Sequence, residues 1–202
     1  MTAAARLLAG SFALLALLAV APARGDVPSV DPRDAAGRLA AGGFVMMMRH
    51  AQTDPGVGDP PSFRLDDCAT QRNLSEAGRA QSRSIGVALR ALGVQIDVVR
   101  SSRWCRCRET ATLAFGAYQA WPTLDSFFAQ PGEGEARTAE LASFARALRG
   151  PGNAVLVTHQ VNISAAMGGF AAPGEIVVGR WRDGRLRPEF RFTAEAAPPS
   201  RD

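Results

Sequence analysis

The chain is poor in the residues that most often carry metal and redox chemistry: its 202 residues include two histidines and three cysteines. The cysteines are Cys68, Cys105 and Cys107. A Cys-x-Cys pair with one distant partner and no histidine nearby in sequence is not the spacing of a zinc module. Nor is it the Cys-x-x-Cys of a thiol oxidoreductase. No lysine-rich run occurs, and basic and aromatic residues do not interleave, which argues against a nucleic-acid-binding face. The formal net charge of +4 is mild. Internal repeats and an interdomain linker are also missing, so the chain reads as one domain with a substantial core.

Long hydrophobic runs are scarce as well. The one at residues 7–20 is shorter than the roughly 20 residues a membrane-spanning helix needs. It follows Arg6 and precedes Ala21-Pro22-Ala23, which fits an A-x-A cleavage site. Residues 1–23 are therefore expected to be a secretory signal peptide, cut after Ala23 or near Gly25, leaving no stable membrane span. No cysteine stands at the cleavage site, which argues against a lipoprotein. The Ala-, Arg- and Gly-rich composition suits a bacterium, and the expected address is the periplasm or the exterior. In an oxidising compartment one disulfide is expected, from Cys68 to either Cys105 or Cys107. Cys105 and Cys107 are too close in sequence to pair without strain.

What is present follows an alternating plan. Asp31 caps a helix opened by Pro32 and ended by Gly42-Gly43. Phe44-Val45-Met46-Met47-Met48 is a short apolar run of the kind buried on both faces of a sheet, and it ends in Arg49-His50. A long, Pro- and Gly-containing loop follows over residues 51–73, a length that in a compact domain usually marks function. Ser75 caps a helix that runs to Gly93, and Ile96-Asp97-Val98-Val99 is a second strand. A helix from about Arg103 to Phe115 comes next, then a third strand predicted over residues 123–127. Residues 129–136 read as an acidic, Gly-rich loop and residues 137–148 as a helix. Ala154-Val155-Leu156-Val157-Thr158 is a fourth strand, ending in His159. Beyond a short helix at residues 162–167, a hairpin is predicted around Asp183-Gly184. The expected fold is α/β, a three-layer sandwich with a largely parallel central sheet and helices on both faces, over residues 26–193. Residues 194–202 read as a loose tail.

Both histidines thus stand at strand ends, where ligands bind in open α/β sheets. The second strand leads into the cationic cluster Arg103, Arg106 and Arg108. Arginines and imidazoles around one point make a pocket for a doubly charged oxyanion, since the guanidinium fork matches phosphate oxygens. Histidine is also a competent nucleophile. Two histidines without a clear carboxylate partner make a poor metal site. The expected ligand is a small anionic phosphorylated substrate, with no metal and no cofactor.

These residues carry a family resemblance. Met48-Arg49-His50-Ala51-Gln52-Thr53 resembles the Arg-His-Gly-x-Thr signature of the histidine phosphatase superfamily, with its phosphoglycerate mutase-like fold. Residues 74–81, Leu-Ser-Glu-Ala-Gly-Arg-Ala-Gln, resemble the start of that family's first helix. Residues 101–111 are similar to its Ser-Ser-x-x-x-Arg-x-x-x-Thr-Ala segment, and Val157-Thr158-His159 to its second-histidine strand. The resemblance spans roughly residues 43–170 in the family's order. It implies a phosphatase in which His50 forms a phosphohistidine, Arg49 and Arg106 hold phosphate oxygens, and His159 stabilises the transferring group. It selects Arg106 over Arg103 and Arg108, whose other reading is a solvated face. Ala51 departs from the usual Gly. The family's general acid has no direct counterpart, because Ser126 occupies the usual place and Gln160 follows the second histidine. Asp125 and Glu133 are the candidates, with Asp54 and Glu135 nearby in sequence. A phosphate-binding module without turnover is the alternative reading.

Overall fold

The computed structural model describes residues 27–56 and 58–195. The signal-peptide expectation falls on residues 1–23, outside the described residues. The elements are helices α1 (Pro32–Leu39), α2 (Glu76–Ala91), α3 (Cys105–Phe115), α4 (Gly134–Ala147) and α5 (Gln160–Met167). The strands are β1 (Val45–Arg49), β2 (Ile96–Ser101), β3 (Gln119–Ala120), β4 (Asn153–Thr158), β5 (Ile176–Arg182) and β6 (Arg185–Phe192). They form one sheet in the order β3-β2-β4-β1-β5-β6. The first four in chain order run parallel, and β5 and β6 add an antiparallel edge.

The two-residue period of a strand explains the three layers. Met46 and Met48 of β1, with Val155 and Val157 of β4, point into a core shared with Ala35, Leu39, Ile85 and Leu89 of α1 and α2. Val45, Met47 and Leu156 point the other way, onto Leu141 and Ala145 of α4 and Ile163 of α5. Both central strands are covered on both faces, so their sequences are apolar without alternation. Local signals set the helix starts. The Asp31 carboxylate accepts from Arg33 N–H at 2.8 Å, and Ser75 Oγ accepts from Gly78 N–H at 3.1 Å. Asp183 and Gly184 both take positive φ, 50° and 75°, as the tight β5–β6 turn requires.

The third strand lies elsewhere than the sequence suggested. Residues 123–127 form no strand; Pro122–Leu124 is a 3-10 turn, and the strand is the short β3 just before it. Pro122 has no N–H to give to a ladder, so pairing stops after Trp121 N–H reaches Ser101 O at 2.8 Å. Leu124 and Phe127 are nonetheless buried, filling the core from a turn. At the far end, Ala194 is fully buried and Glu195 accepts from Gln81 Nε2 at 2.9 Å. These two residues of the expected tail pack on the domain, and residues 196–202 lie outside those described.

Candidate active site

The carboxyl ends of β2, β4 and β1, three neighbouring parallel strands, carry the site. His50 follows β1 directly. Its backbone N–H continues the β1–β4 ladder to Thr158 O at 3.0 Å. Its Nδ1 lies 2.8 Å from Ala51 O. A carbonyl oxygen can only accept, so the proton sits on Nδ1 and the Nε2 lone pair is left for chemistry. Ala51 is itself held: its N–H donates to Thr110 Oγ1 at 3.1 Å, and that hydroxyl donates to Arg106 O at 2.7 Å. Burial, and then the charge of Arg106, push the His50 pKa down to about 3, so the ring is neutral at ordinary pH.

His159 stands at the end of β4, its ring 5.6 Å from that of His50. Arg106 Nη2 donates to its Nδ1 at 3.2 Å. The proton is therefore on Nε2, which donates to Ser102 Oγ at 2.9 Å. Ser102 in turn donates to Asp125 Oδ1 at 3.0 Å. The second histidine is thus oriented by a Ser102–Asp125 relay, and burial with the nearby Arg106 holds its pKa well below the usual value.

Arg106 lies in the first turn of α3, buried, its guanidinium 4.5 Å over the Trp104 ring. Its Nη1 donates to Asp59 Oδ1 at 3.0 Å. Arg49 donates to Ala171 O at 2.8 Å. Burial and the neighbouring charges of Arg72 and Arg106 lower its pKa. Arg72 is lowered in the same way, by burial and Arg106. Three guanidinium groups near enough to disfavour one another's charge form a site electrostatically prepared for an anion. They share with His50 and His159 one cavity of about 710 Å³.

Arg49, His50, Arg106 and His159 therefore line one cavity, as their strand-end positions suggested. Arg103 and Arg108 point elsewhere, to Asp125 (2.7 Å) and to Tyr118 Oη (3.0 Å). Asp125 is buried, but its carboxylate is taken up by Ser102, the Arg103 N–H and the Arg103 guanidinium. Glu133 pairs with Arg137 at 2.5 Å at the start of α4. Neither carboxylate lies on the cavity wall. Two charged wall residues escaped the sequence reading, Asp59 and Arg72. Both come from the 51–73 loop, whose length pointed to function while nothing marked which of its side chains would turn inward.

The loop is fastened where it matters. Cys68 is disulfide-bonded to Cys105 at the start of α3, with Cα atoms 5.7 Å apart. Cys107 is free and buried, and burial pushes its thiol pKa up to about 12, which leaves it unreactive. Among the described residues no cluster of three or more His, Cys, Asp or Glu side chains is arranged to hold a metal ion, and no helix is long and apolar enough to cross a membrane.

No curated protein is significantly similar to the chain in sequence. Several solved structures share its fold. The protein histidine phosphatase SixA, solved with tungstate, is 14% identical with a TM-score of 0.54, covering 74% of this chain and 96% of its own. A mycobacterial glucosyl-3-phosphoglycerate phosphatase, solved with VO3, is 18% identical with a TM-score of 0.55, covering 76% and 99%. A phosphoserine phosphatase from Entamoeba histolytica, with phosphoserine, is 11% identical with a TM-score of 0.54, covering 73% and 95%. Residues 45–128 match the family described as histidine phosphatase superfamily (branch 1). Residues 45–128, from β1 through the 3-10 turn, thus carry the sequence pattern of that superfamily, and the mixed sheet flanked by helices has the phosphoglycerate mutase-like fold of these solved structures.

Proposed function

We propose that the protein is a phosphatase that hydrolyses phosphomonoesters through a phosphohistidine on His50, without a metal. The observation that carries this reading is the tautomer of His50. A neutral, buried imidazole with its proton committed to Ala51 O presents Nε2 to a cavity lined by Arg49, Arg72 and Arg106. In the first step Nε2 bonds to phosphorus as the ester P–O bond breaks and the alcohol leaves with a proton. In the second, water attacks phosphorus, the P–N bond breaks, and inorganic phosphate leaves a free imidazole. The arginines stabilise charge on the equatorial oxygens throughout. A phosphate that engages Arg106 frees the His159 Nδ1 lone pair from that guanidinium, and it can then accept a hydrogen bond from a protonated phosphate oxygen.

The proton for the leaving alcohol arrives on the monoanionic phosphomonoester and is passed to the alcohol oxygen through Asp59. Asp59 is the one carboxylate among the described residues on the cavity wall, and a phosphate that recruits Arg106 releases it from its ion pair. The reading extends to the compartment: the disulfide supports a periplasmic or secreted protein, as does the signal-like pattern of residues 1–23.

Turnover of para-nitrophenyl phosphate in excess chelator, with intact-mass detection of a phosphoenzyme, tests the reading. Turnover with a trapped phosphoenzyme supports it. Phosphate binding without turnover would make the protein a binding module, and strict dependence on a divalent ion would place it among metal-dependent phosphatases.

A further inference from the structure

The cavity wall is made of two kinds of side chain. Arg49, Arg72 and Arg106 are cationic and stand with the two histidines. Pro60, Pro61, Phe63, Trp104, Phe128 and Val161 are apolar. Trp104 touches both kinds. Arg106 stacks on its ring at 4.5 Å, and Phe63 packs against it with ring centroids 4.3 Å apart. Phe128 stands at the rim with 84% of its surface exposed. A cavity of about 710 Å³ leaves room for a large group beyond the phosphate.

Polar side chains are few on the rest of the wall, and some are already engaged. The Gln160 side chain accepts from Ala171 N–H at 2.9 Å and donates to Ser164 Oγ at 2.7 Å and Gly169 O at 3.2 Å. Asp59 Oδ1 accepts from Arg106 and from Arg72 N–H, both at 3.0 Å, and this carboxylate is the one committed to the leaving-group proton. Ser126 and Gln130 are the other polar side chains on that wall. A polyhydroxylated leaving group would lose water there and find few replacement partners. An apolar one would cover Phe128 and the proline pair and gain from doing so.

We infer that the site takes phosphomonoesters of apolar alcohols, aryl or alkyl, in preference to sugar or polyol phosphates. The inference rests on the phosphatase reading and names its substrate class. The reaction is the hydrolysis given above, with the ester P–O bond broken, the apolar alcohol released with a proton, and water supplying the remaining atoms.

The test uses primary alkyl phosphates, so that the leaving-group chemistry is similar across the series. Values of kcat/KM are compared for 2-phenylethyl phosphate, hexyl phosphate, glycerol 1-phosphate and glucose 6-phosphate. The apolar esters should be preferred by at least about tenfold. Phe128→Ala should lower kcat/KM for 2-phenylethyl phosphate by about tenfold, mainly through KM, and lower that for glycerol 1-phosphate by much less. Calorimetric binding of 2-phenylethylphosphonate against 2-hydroxyethylphosphonate reads the same preference without turnover. Equal or reversed preference, with para-nitrophenyl phosphate turned over normally, would overturn the inference and leave the phosphatase reading standing. Tight binding of the aromatic phosphonate with no ester hydrolysed would do the opposite.

Discussion

The two halves of the sheet use arginine in opposite ways. In the β5–β6 hairpin the arginines face carboxylates: Arg180 and Arg182 share Glu189 at 3.5 and 3.3 Å, and Arg187 meets Asp183 at 3.1 Å. Arg191 lies 3.5 Å from Glu175. At the carboxyl ends of β1, β2 and β4, three guanidinium groups converge on one cavity whose wall offers, among the described residues, a single carboxylate, Asp59. The residue type is the same, and every cationic side chain of the protein apart from histidine is an arginine. The difference is in the balance of charge. Paired arginines on a hairpin surface are close to neutral in their effect on stability. Clustered, partly desolvated arginines disfavour each other and are relieved by an anion, so they mark a binding site.

The sharpest way to break this contrast is at the nucleophile. His50→Ala should lower para-nitrophenyl phosphate turnover by about four orders of magnitude or more and abolish the phosphoenzyme. Near-normal turnover in a folded variant would end the phosphohistidine mechanism. Removing one cation from each half comes next. Arg106→Ala should cost about 100- to 1000-fold in kcat/KM, whereas Arg187→Ala should leave kcat/KM unchanged. Equal losses in both variants would erase the distinction between the two halves.

Asp59→Asn sharpens the assignment of the acid. A proton donor matters more for a poor leaving group, so hexyl phosphate turnover should fall about 100-fold and para-nitrophenyl phosphate turnover far less. Equal losses on both substrates would make Asp59 only a partner that positions Arg106.

Two smaller effects concern stability. Closing 37 residues, the Cys68–Cys105 bridge contributes roughly 3 to 4 kcal/mol by removing loop-closure entropy from the unfolded chain. A Cys68→Ser/Cys105→Ser variant should unfold at a correspondingly lower urea concentration. It should also bind phosphate more weakly, because the 51–73 loop is no longer tied to the helix of Arg106. The buried histidines set an acid limit. The His50 pKa is about 3 in the folded protein and about 6.5 when unfolded, so between those values the unfolded chain binds more protons. Stability should therefore fall as pH drops from about 6.5 toward 3, and His159 adds in the same direction. Urea midpoints at about pH 7.5 and 5.5 should differ less in His50→Gln than in the parent protein. Last and smallest, Arg182→Ala in the hairpin should change stability by less than about 0.5 kcal/mol, read from the same urea curves.

Much of the site was legible because strand ends are legible. An apolar run that stops at a charged or imidazole side chain marks both the strand and the place where its last residues leave the core, as at Arg49-His50 and Thr158-His159. Other residues of the motif segments hold the scaffold of the site. Thr110 holds Ala51 N–H, and Gln81 Oε1 accepts from Gln52 N–H at 3.1 Å. Gly78 leaves room for the Gln52 carbonyl, which would lie 1.9 Å from any added Cβ. The predicted third strand failed for a local reason, Pro122, which outweighed the apolar residues around it. The acid candidates could not be sorted by register alone, because Asp125 and Glu133 were claimed by Arg103 and Arg137 through contacts across the fold.

The sequence by itself determined the parallel core strands, the helix caps, the hairpin turn and the identity of the two histidines as strand-end residues. Each of these depends on side-chain period, capping chemistry or backbone φ, all of which act over a few residues. Tertiary structure alone decided which cysteine Cys68 joins, which histidine nitrogen is free, which arginines meet, and that Asp59 and Arg72 enter the cavity. Those outcomes depend on distances and burial between segments far apart in the chain, and no local pattern encodes them.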